Sequence, residues 1–267
     1  MLLLHKTLVQ LHIICGAASL LLFWMPVLSR KGSRWHICSG QLYNVAMTVV
    51  GVCGLLASVM VLMDPLAIRH PGAVIEAERA ANLAWRYRTF SLFLLMLSVL
   101  VLTSLRHGTL SLRERRQPGA LSAPSHQALV LSLGVLGLMV GALGGLRGQM
   151  LLLIFGGISI SAAVGLQRDL WAARRGEANL LTAHLGSMLG SGIGAYTGFF
   201  AFGGARYLAD WLPGQWQIIP WVLPSVIGLV AIRRLKRRYQ GSSTGGSSAG
   251  SAGRTVRQPS LDTQAGV

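Results

Sequence analysis

The chain has 267 residues, of which 52% are hydrophobic and only 12% are charged, and its mean hydropathy is +0.54. Soluble domains carry about 25% charged residues, so this composition excludes an ordinary soluble protein and predicts a multi-pass membrane protein. The net charge of +16 does not indicate nucleic-acid binding, because the basic residues lie in short clusters between apolar runs, as cytoplasmic loops do.

Seven apolar runs are long enough to cross about 30 Å of hydrocarbon, and we predict one transmembrane helix for each. They cover residues 8–28, 38–63, 89–105, 127–146, 149–166, 179–204 and 218–232. The predicted fold is therefore all-α, a polytopic bundle of about seven helices within residues 1–240. Residues 241–267 are rich in glycine and serine, which predicts a disordered tail.

The distribution of lysine and arginine predicts the orientation of these helices. Fifteen basic residues follow the odd-numbered helices, whereas seven lie on the opposite side, four of them between Asp64 and Arg88. Cytoplasmic loops carry the excess of basic residues. The N-terminus is therefore predicted to lie outside and the C-terminus in the cytoplasm.

Glycine recurs at every fourth residue in two of the predicted helices, which indicates close contact between helix backbones. These glycines are Gly137, Gly141 and Gly145 in the fourth helix, and Gly186, Gly190, Gly194 and Gly198 in the sixth. We therefore predict that the sixth helix lies in the middle of the bundle.

The carboxylates are all predicted to lie in loops, at helix ends or in the tail. Transporters that move protons or sodium commonly use a carboxylate inside the membrane, so a carboxylate-driven pump is not expected. The ionisable side chains left near the hydrocarbon are histidines, chiefly His12, His36 and His184. Such residues are candidate functional sites, because an ionisable group in lipid costs free energy.

Two similar motifs place a glycine one helical turn after a histidine. His12 and Gly16 share a face of the first helix, and His36, Gly40 and Tyr43 share a face of the second. A glycine at this spacing leaves an open shelf beside the imidazole ring. Such a shelf suits a flat cofactor or a neighbouring helix.

The depths of the histidines in the membrane predict which of them can meet. His12 lies one turn into the outer end of the first helix, about 24 Å from the inner end, whereas His36 begins the second helix on the inner side. His184 begins the sixth helix on the inner side and is the predicted partner of His36, with His107 and His126 also near that boundary. The candidate partners of His12 are His70, Arg86, Tyr87 and the end of the sixth helix.

Three interpretations of the histidines remain open. In the first, His36 and His184 are the axial ligands of a b-type haem between helices. In the second, the histidines bind or protonate a quinone or another lipid-soluble substrate, or they ligate copper with Cys15, Cys38 or Met188. In the third, each histidine donates a hydrogen bond to the next helix and has a structural role only.

The histidine motifs resemble those of an uncharacterised bacterial family of multi-pass inner-membrane proteins, known as a domain of unknown function. The motifs are H-x3-G in the first helix, H-x3-G-x2-Y in the second, and a late H-x3-M followed by T-x-F. The matching residues are His12, Gly16, His36, Gly40, Tyr43, His184, Met188, Thr197 and Phe199. The resemblance covers the chain to about Arg206 and implies a bacterial inner-membrane location, but it supplies no activity.

The sequence thus predicts an inner-membrane protein with a histidine-based redox or cofactor site near the cytoplasmic face. The predicted site residues are His36, His184, Tyr43, Met188 and His12. The sequence leaves the cofactor open, with haem b as the candidate, and the predicted partners are the lipid bilayer and a membrane redox partner or quinone. The alternative is a non-catalytic assembly or accessory factor, or a small-molecule permease, with structural histidines.

Overall fold

The computed structural model describes residues 1–200, residue 216 and residues 219–244. This part of the chain is a bundle of helices, which confirms the predicted all-α fold class. The helices are α1 (Leu2–Leu28), α2 (Arg34–Met63), α3 (Pro65–Arg69), α4 (Ala77–Glu114), α5 (Pro124–Arg147), α6 (Met150–Arg174), α7 (Leu180–Gly198) and α8 (Ile219–Thr244).

Within the described residues, five helices are long and apolar enough to cross a membrane, namely α1, α2, α4, α5 and α6. They correspond to the first five predicted transmembrane helices, and the chain is a multi-pass membrane protein. Large apolar side chains on their outer surfaces face the surroundings, such as Leu131, which is 68% exposed, as expected of surfaces in contact with lipid. The sixth and seventh predicted helices overlap with α7 and α8, which are not among these five. The count of seven therefore stays a prediction, as does the orientation.

Several predicted boundaries differ from the structure. The third helix was predicted over residues 89–105, but α4 runs without a break from Ala77 to Glu114. The predicted disordered tail begins at residue 241, but α8 continues to Thr244. The later residues of the tail, 245–267, lie outside the described residues, as do residues 201–204 of the sixth predicted helix.

Glycine allows α5 and α6 to pack as a tight antiparallel hairpin, as the fourth-residue spacing predicted. A Cβ atom on Gly156 would lie 2.7 Å from the Cα atom of Gly141 and 2.9 Å from the carbonyl oxygen of Gly137. Only glycine at residue 156 therefore lets the two backbones touch. The hairpin turns at Gly148, whose φ of 63° is the left-handed conformation that glycine adopts readily.

The central position predicted for the sixth helix belongs to α4. Helix α4 packs against α2, α5, α6 and α7, whereas α7 packs mainly against α4 and α8. Of the glycines expected to pack, Gly194 contacts α4, where a Cβ would lie 3.3 Å from Val101, whereas Gly190 and Gly198 have open space there. Gly192, which is outside the predicted spacing, is covered by Phe23 of α1. The glycine spacing was therefore a correct indication of packing for α5 and only in part for α7.

The up-and-down course of the helices gives the bundle two ends. We call the end that holds α3 and the start of α1 the α3 end. The opposite end holds the α1–α2 turn and the α4–α5 connection, and we call it the Ser33 end after the residue that caps α2. The hydroxyl oxygen of Ser33 accepts the backbone N–H of His36 at 3.2 Å, a standard N-cap.

Candidate functional site

A cavity of about 600 Å³ lies between α1, α2, α4 and the C-terminal part of α7. Its wall is mostly apolar, with side chains such as Val50 and Leu94. The polar groups on the wall are His5, His12, Arg69 and Cys53, together with serine hydroxyls from α2 and α4. Pockets that bind drug-sized ligands are about 300–1,000 Å³ and combine an apolar lining with a few polar groups. The cavity has this character.

The ring of His12 is held by a backbone group on α2. Its Nδ1 atom is 2.9 Å from the carbonyl oxygen of Val50. A carbonyl oxygen only accepts hydrogen bonds, so Nδ1 carries the proton of the neutral ring and Nε2 keeps a lone pair. Among the described residues, no group forms a hydrogen bond with this Nε2 atom. His12 therefore contributes a hydrogen-bond acceptor to the cavity.

Two glycines create the space around His12. A Cβ atom on Gly54 of α2 would lie 2.7 Å from the hydroxyl oxygen of Ser98 and 3.3 Å from Cε1 of His12, so a larger residue would displace the ring. Gly16 lines the cavity, and a Cβ there would meet only a methyl group of Val50 at 4.0 Å. The shelf predicted beside His12 is therefore open in the structure.

The structure supports one of the partners predicted for His12. The end of α7 reaches the same cavity, where Gly194, Gly198 and Phe199 form part of the wall. His70 is instead engaged with Tyr87, since its Nε2 atom and the phenol oxygen are 2.8 Å apart. His70 and Tyr87 tie α4 to the residue that follows α3.

His36 and His184 lie at the Ser33 end, close enough to interact electrostatically. Nδ1 of His36 donates to the carbonyl oxygen of Pro26 at 3.0 Å. Nδ1 of His184 donates to the carbonyl oxygen of Gly108 at 2.8 Å. Both rings are thus fixed by a backbone carbonyl of another helix, and both keep the Nε2 lone pair.

The other predicted site residues of this end are occupied in helix packing. The hydroxyl groups of Tyr43 and Ser191 are 2.9 Å apart in a buried position. Met188 packs on α4 at Gly108, where a Cβ would lie 2.7 Å from the methionine methyl group. A Cβ on Gly40 would lie 3.9 Å from Pro26, an ordinary van der Waals contact, so the shelf beside His36 borders α1 and is about as open as the shelf beside His12.

Lys31 also binds the C-terminal end of α1. Its ammonium group donates to the carbonyl oxygens of Pro26 and Val27 at 2.8 and 2.7 Å. Partial desolvation lowers the pKa of Lys31 below its ordinary value. The ring of His36 and the ammonium group of Lys31 together satisfy carbonyls that a helix end leaves without partners, so His36 has a structural role whatever else it binds.

A buried group of three side chains was missed by the sequence analysis. Nδ1 of His107 and Nε2 of His126 are 3.0 Å apart, and both residues are 0% exposed. Nε2 of His107 lies 3.4 Å from a carboxylate oxygen of Asp169. Asp169 was predicted to lie in a loop, but α6 extends eight residues past the predicted end at 166, to Arg174. The available signal was a histidine on each side of the basic α4–α5 connection.

The donor and acceptor properties of the three side chains determine which atom carries each proton, and so the direction of the hydrogen bond between the two rings. Nε2 of His107 faces the Asp169 carboxylate at 3.4 Å but forms no hydrogen bond in the described part of the chain. The negative charge of the carboxylate still favours the proton on Nε2, so Nδ1 of His107 accepts from Nε2–H of His126. Nδ1 of His126 is left as a lone pair, and it is buried without a partner in the described part of the chain. We call these three residues the His107 chain.

The cysteines give no support to the copper interpretation, which stays a prediction. Cys15 is half-buried, Cys38 is exposed and Cys53 is buried, and all three are free thiols. Within residues 1–200 and 219–244, no group of three or more histidine, cysteine or acidic side chains is placed to hold a metal ion.

Comparisons with protein-family models, with curated protein sequences and with solved structures give no match to this chain. The resemblance based on the histidine motifs therefore stays an expectation. The functional argument rests on the geometry of the two ends of the bundle.

Proposed function

We propose that this protein binds a lipid-soluble small molecule within the membrane, in the cavity beside His12. The observation that carries the proposal is an apolar cavity of about 600 Å³ with an imidazole ring on its wall whose Nε2 atom has no bond within the described residues. Apolar walls favour a hydrophobic ligand, and one fixed polar group orients it.

The position of α1 favours entry of such a ligand from the bilayer. Only 6% of the most apolar part of α1 is buried inside the bundle, and α1 packs mainly against α2. One wall of the cavity is therefore a helix that faces lipid on its other side. A ligand dissolved in the bilayer has a short route past this helix.

The lone pair on Nε2 of His12 can accept a hydrogen bond from a ligand that carries a donor. The hydroxyl group of a quinol or of a protonated acid donates to this atom, whereas the carbonyl of an oxidised quinone does not. A quinone–quinol couple is thus one member of the ligand class, which keeps the redox interpretation. A small-molecule permease would need the same cavity. Ligand binding is therefore common to the redox interpretation and the permease interpretation.

We expect a photoreactive lipophile to react with cavity residues that lipid cannot reach. The probe is a diazirine derivative of hexadecanol, added to the protein in phosphatidylcholine nanodiscs, with the labelled positions mapped by peptide mass spectrometry. Met47 and Ser91 line the cavity and are each 1% exposed, whereas Leu131 faces outward.

Labelling of Met47 and Ser91 should saturate and should be displaced by unlabelled hexadecanol. Labelling of Leu131 should rise in proportion to probe concentration, because it reports the surrounding lipid phase. If the positions in the cavity stay unlabelled while Leu131 reacts, the cavity does not bind lipophiles and the proposal is wrong.

The haem interpretation is a second candidate, favoured by the bonds of His36 and His184. A histidine that ligates a metal usually donates its other ring N–H to a carbonyl or carboxylate, and both rings do so through Nδ1. The donor set therefore fits axial ligation by two Nε2 atoms. Pro26 of α1 borders the shelf beside His36, at 3.9 Å from the position of a Cβ atom on Gly40.

Spectra of the purified protein with haem supplied test this candidate. If haem binds here, oxidised and dithionite-reduced samples show b-type bands, and both His36→Ala and His184→Ala lose them. The variant His12→Ala keeps the bands, because His12 lies towards the α3 end. Spectra without b-type bands, or bands that survive both inner substitutions, would rule out this pair of ligands.

A further inference from the structure

We infer that the ligand of the His12 cavity carries an acidic head group, a carboxylate or a phosphate, bound by Arg69 and His5 at the α3 end. This inference rests on the proposed function, since it names the chemical class of that ligand. Three observations support it: the positions of the two basic side chains, the lack of an acidic partner for Arg69 in the described part of the chain, and the length of the cavity.

Arg69 and His5 both lie on the cavity wall, and they are close enough to interact electrostatically. Arg69 is the last residue of α3, the short helix that packs against α1, α2 and α4 where α2 ends. His5 belongs to the second turn of α1. The polar end of the cavity is therefore level with the ends of the transmembrane helices, which is the level of lipid head groups.

Arg69 has no carboxylate partner in the described part of the chain, where the ion pairs are His107–Asp169 and Arg175–Glu177. The nearest acid in the sequence, Asp64, accepts the backbone N–H of Ala67 as the N-cap of α3. A guanidinium group beside an apolar cavity gains most from a bidentate anion, which it binds by two parallel hydrogen bonds. An acidic head group supplies that anion.

The acids that begin α4 are placed elsewhere. Glu76 and Glu78 line a separate surface cleft of about 410 Å³, together with Arg79 and Arg86. These arginines therefore share their cleft with acids of the chain itself, whereas none of the described residues that line the cavity with Arg69 is acidic. Arg79 is for this reason a matched control, since it lies at the same end of the bundle and not on the cavity wall.

His5 supplies a second donor at the same place. The residue is only 8% exposed, and no hydrogen bond of its ring is present among the described residues. A neutral imidazole always carries one N–H, which here is available as a donor. An oxyanion bound to Arg69 would accept this N–H as well.

The cavity is long enough for an extended apolar tail behind such a head. Its wall on α1 runs from His5 past His12 to Leu20, which is about 22 Å at 1.5 Å per residue. At the far end it reaches Met47 of α2. A long alkyl or isoprenoid chain with an acidic group at one end matches both the length and the distribution of charge.

Three diazirine probes with the same hexadecyl chain test the inference, one an acid, one a monophosphate and one the neutral alcohol. In nanodiscs of phosphatidylcholine, we expect one of the two acidic probes to label Met47 and Ser91 at a concentration at least about tenfold lower than the alcohol, as a hydrogen bond to a charged group predicts. The stronger of the two identifies the head group as carboxylate or phosphate.

Substitutions of Arg69 test whether its guanidinium group causes the preference for the acidic probe. The variant Arg69→Gln should lose the preference for the acidic probe and bind the alcohol as before, and Arg69→Lys should keep part of the preference because the charge remains. Arg79→Gln should behave as the unmodified protein. Thermal unfolding of each variant verifies that the bundle is intact.

The outcomes separate this inference from the proposed function. Equal labelling by all three probes, or a preference for acid that survives in Arg69→Gln, overturns the acidic head group and leaves the cavity as a binding site. If none of the probes labels Met47 or Ser91, the proposed function itself fails.

Discussion

Replacing Gly16 with leucine is expected to abolish binding of lipophiles in the His12 cavity without weakening the fold. Gly16 lines the cavity, and a Cβ atom there has only Val50 near it, at 4.0 Å. The backbone therefore accepts a side chain at residue 16, and the rest of the leucine occupies the shelf beside His12. Leucine also favours a helix by about 1 kcal/mol relative to glycine, so stability should stay the same or rise.

The matched control is Gly165→Leu in α6. A Cβ on Gly165 meets no atom within 4 Å, and the residue is exposed and away from the cavity. Both variants should unfold at the same or a higher temperature than the unmodified protein. Only Gly16→Leu should lose saturable labelling of Met47 and Ser91, with at least about a tenfold fall in apparent affinity if the shelf is part of the site. Equal labelling of the two variants would show that the ligand does not lie beside His12.

The helices were largely predictable because apolar runs in a membrane protein have few alternative structures. The apolar runs located α1, α2, α4, α5 and α6, and the errors lie at their ends. Helix α6 continues to Arg174 because polar residues at a membrane surface prolong a helix without being apolar. This extension carries Asp169 to His107, which a hydropathy criterion alone does not reveal.

The partners of the histidines were harder to predict, because each histidine is bound by a residue far away in the chain. His12 is held by Val50 and His184 by Gly108, in both cases through a backbone carbonyl that any residue type provides. The sequence therefore identifies the histidines but not the groups that they bind. The cavity is also not visible in the sequence, because residues from five helices form its wall.

The second large expected effect concerns the His107 chain. Replacing one of its two histidines should destabilise the protein, and replacing both should recover part of the lost stability. The variant His126→Leu leaves Nδ1 of His107 buried without a partner, which should lower the free energy of unfolding by about 1–3 kcal/mol. His107→Leu should have a similar cost, because it leaves both ring nitrogens of His126 without partners. Asp169 is 36% exposed at its side chain and is hydrated when His107 is absent.

The double variant His107→Leu/His126→Leu should be more stable than the sum of the two single losses predicts, by about 0.5–3 kcal/mol, because no buried nitrogen is then left unpaired. Unfolding in mixed micelles with an increasing fraction of dodecyl sulfate measures the free energy of unfolding of all the variants.

His70→Leu is the control partner, since His70 binds Tyr87 at the α3 end. Its loss of stability should add to that of His126→Leu within about 0.5 kcal/mol. If the losses at His107 and His126 also add, the two rings are not bonded to each other, and the direction assigned to the His107 chain from Asp169 to His126 is wrong.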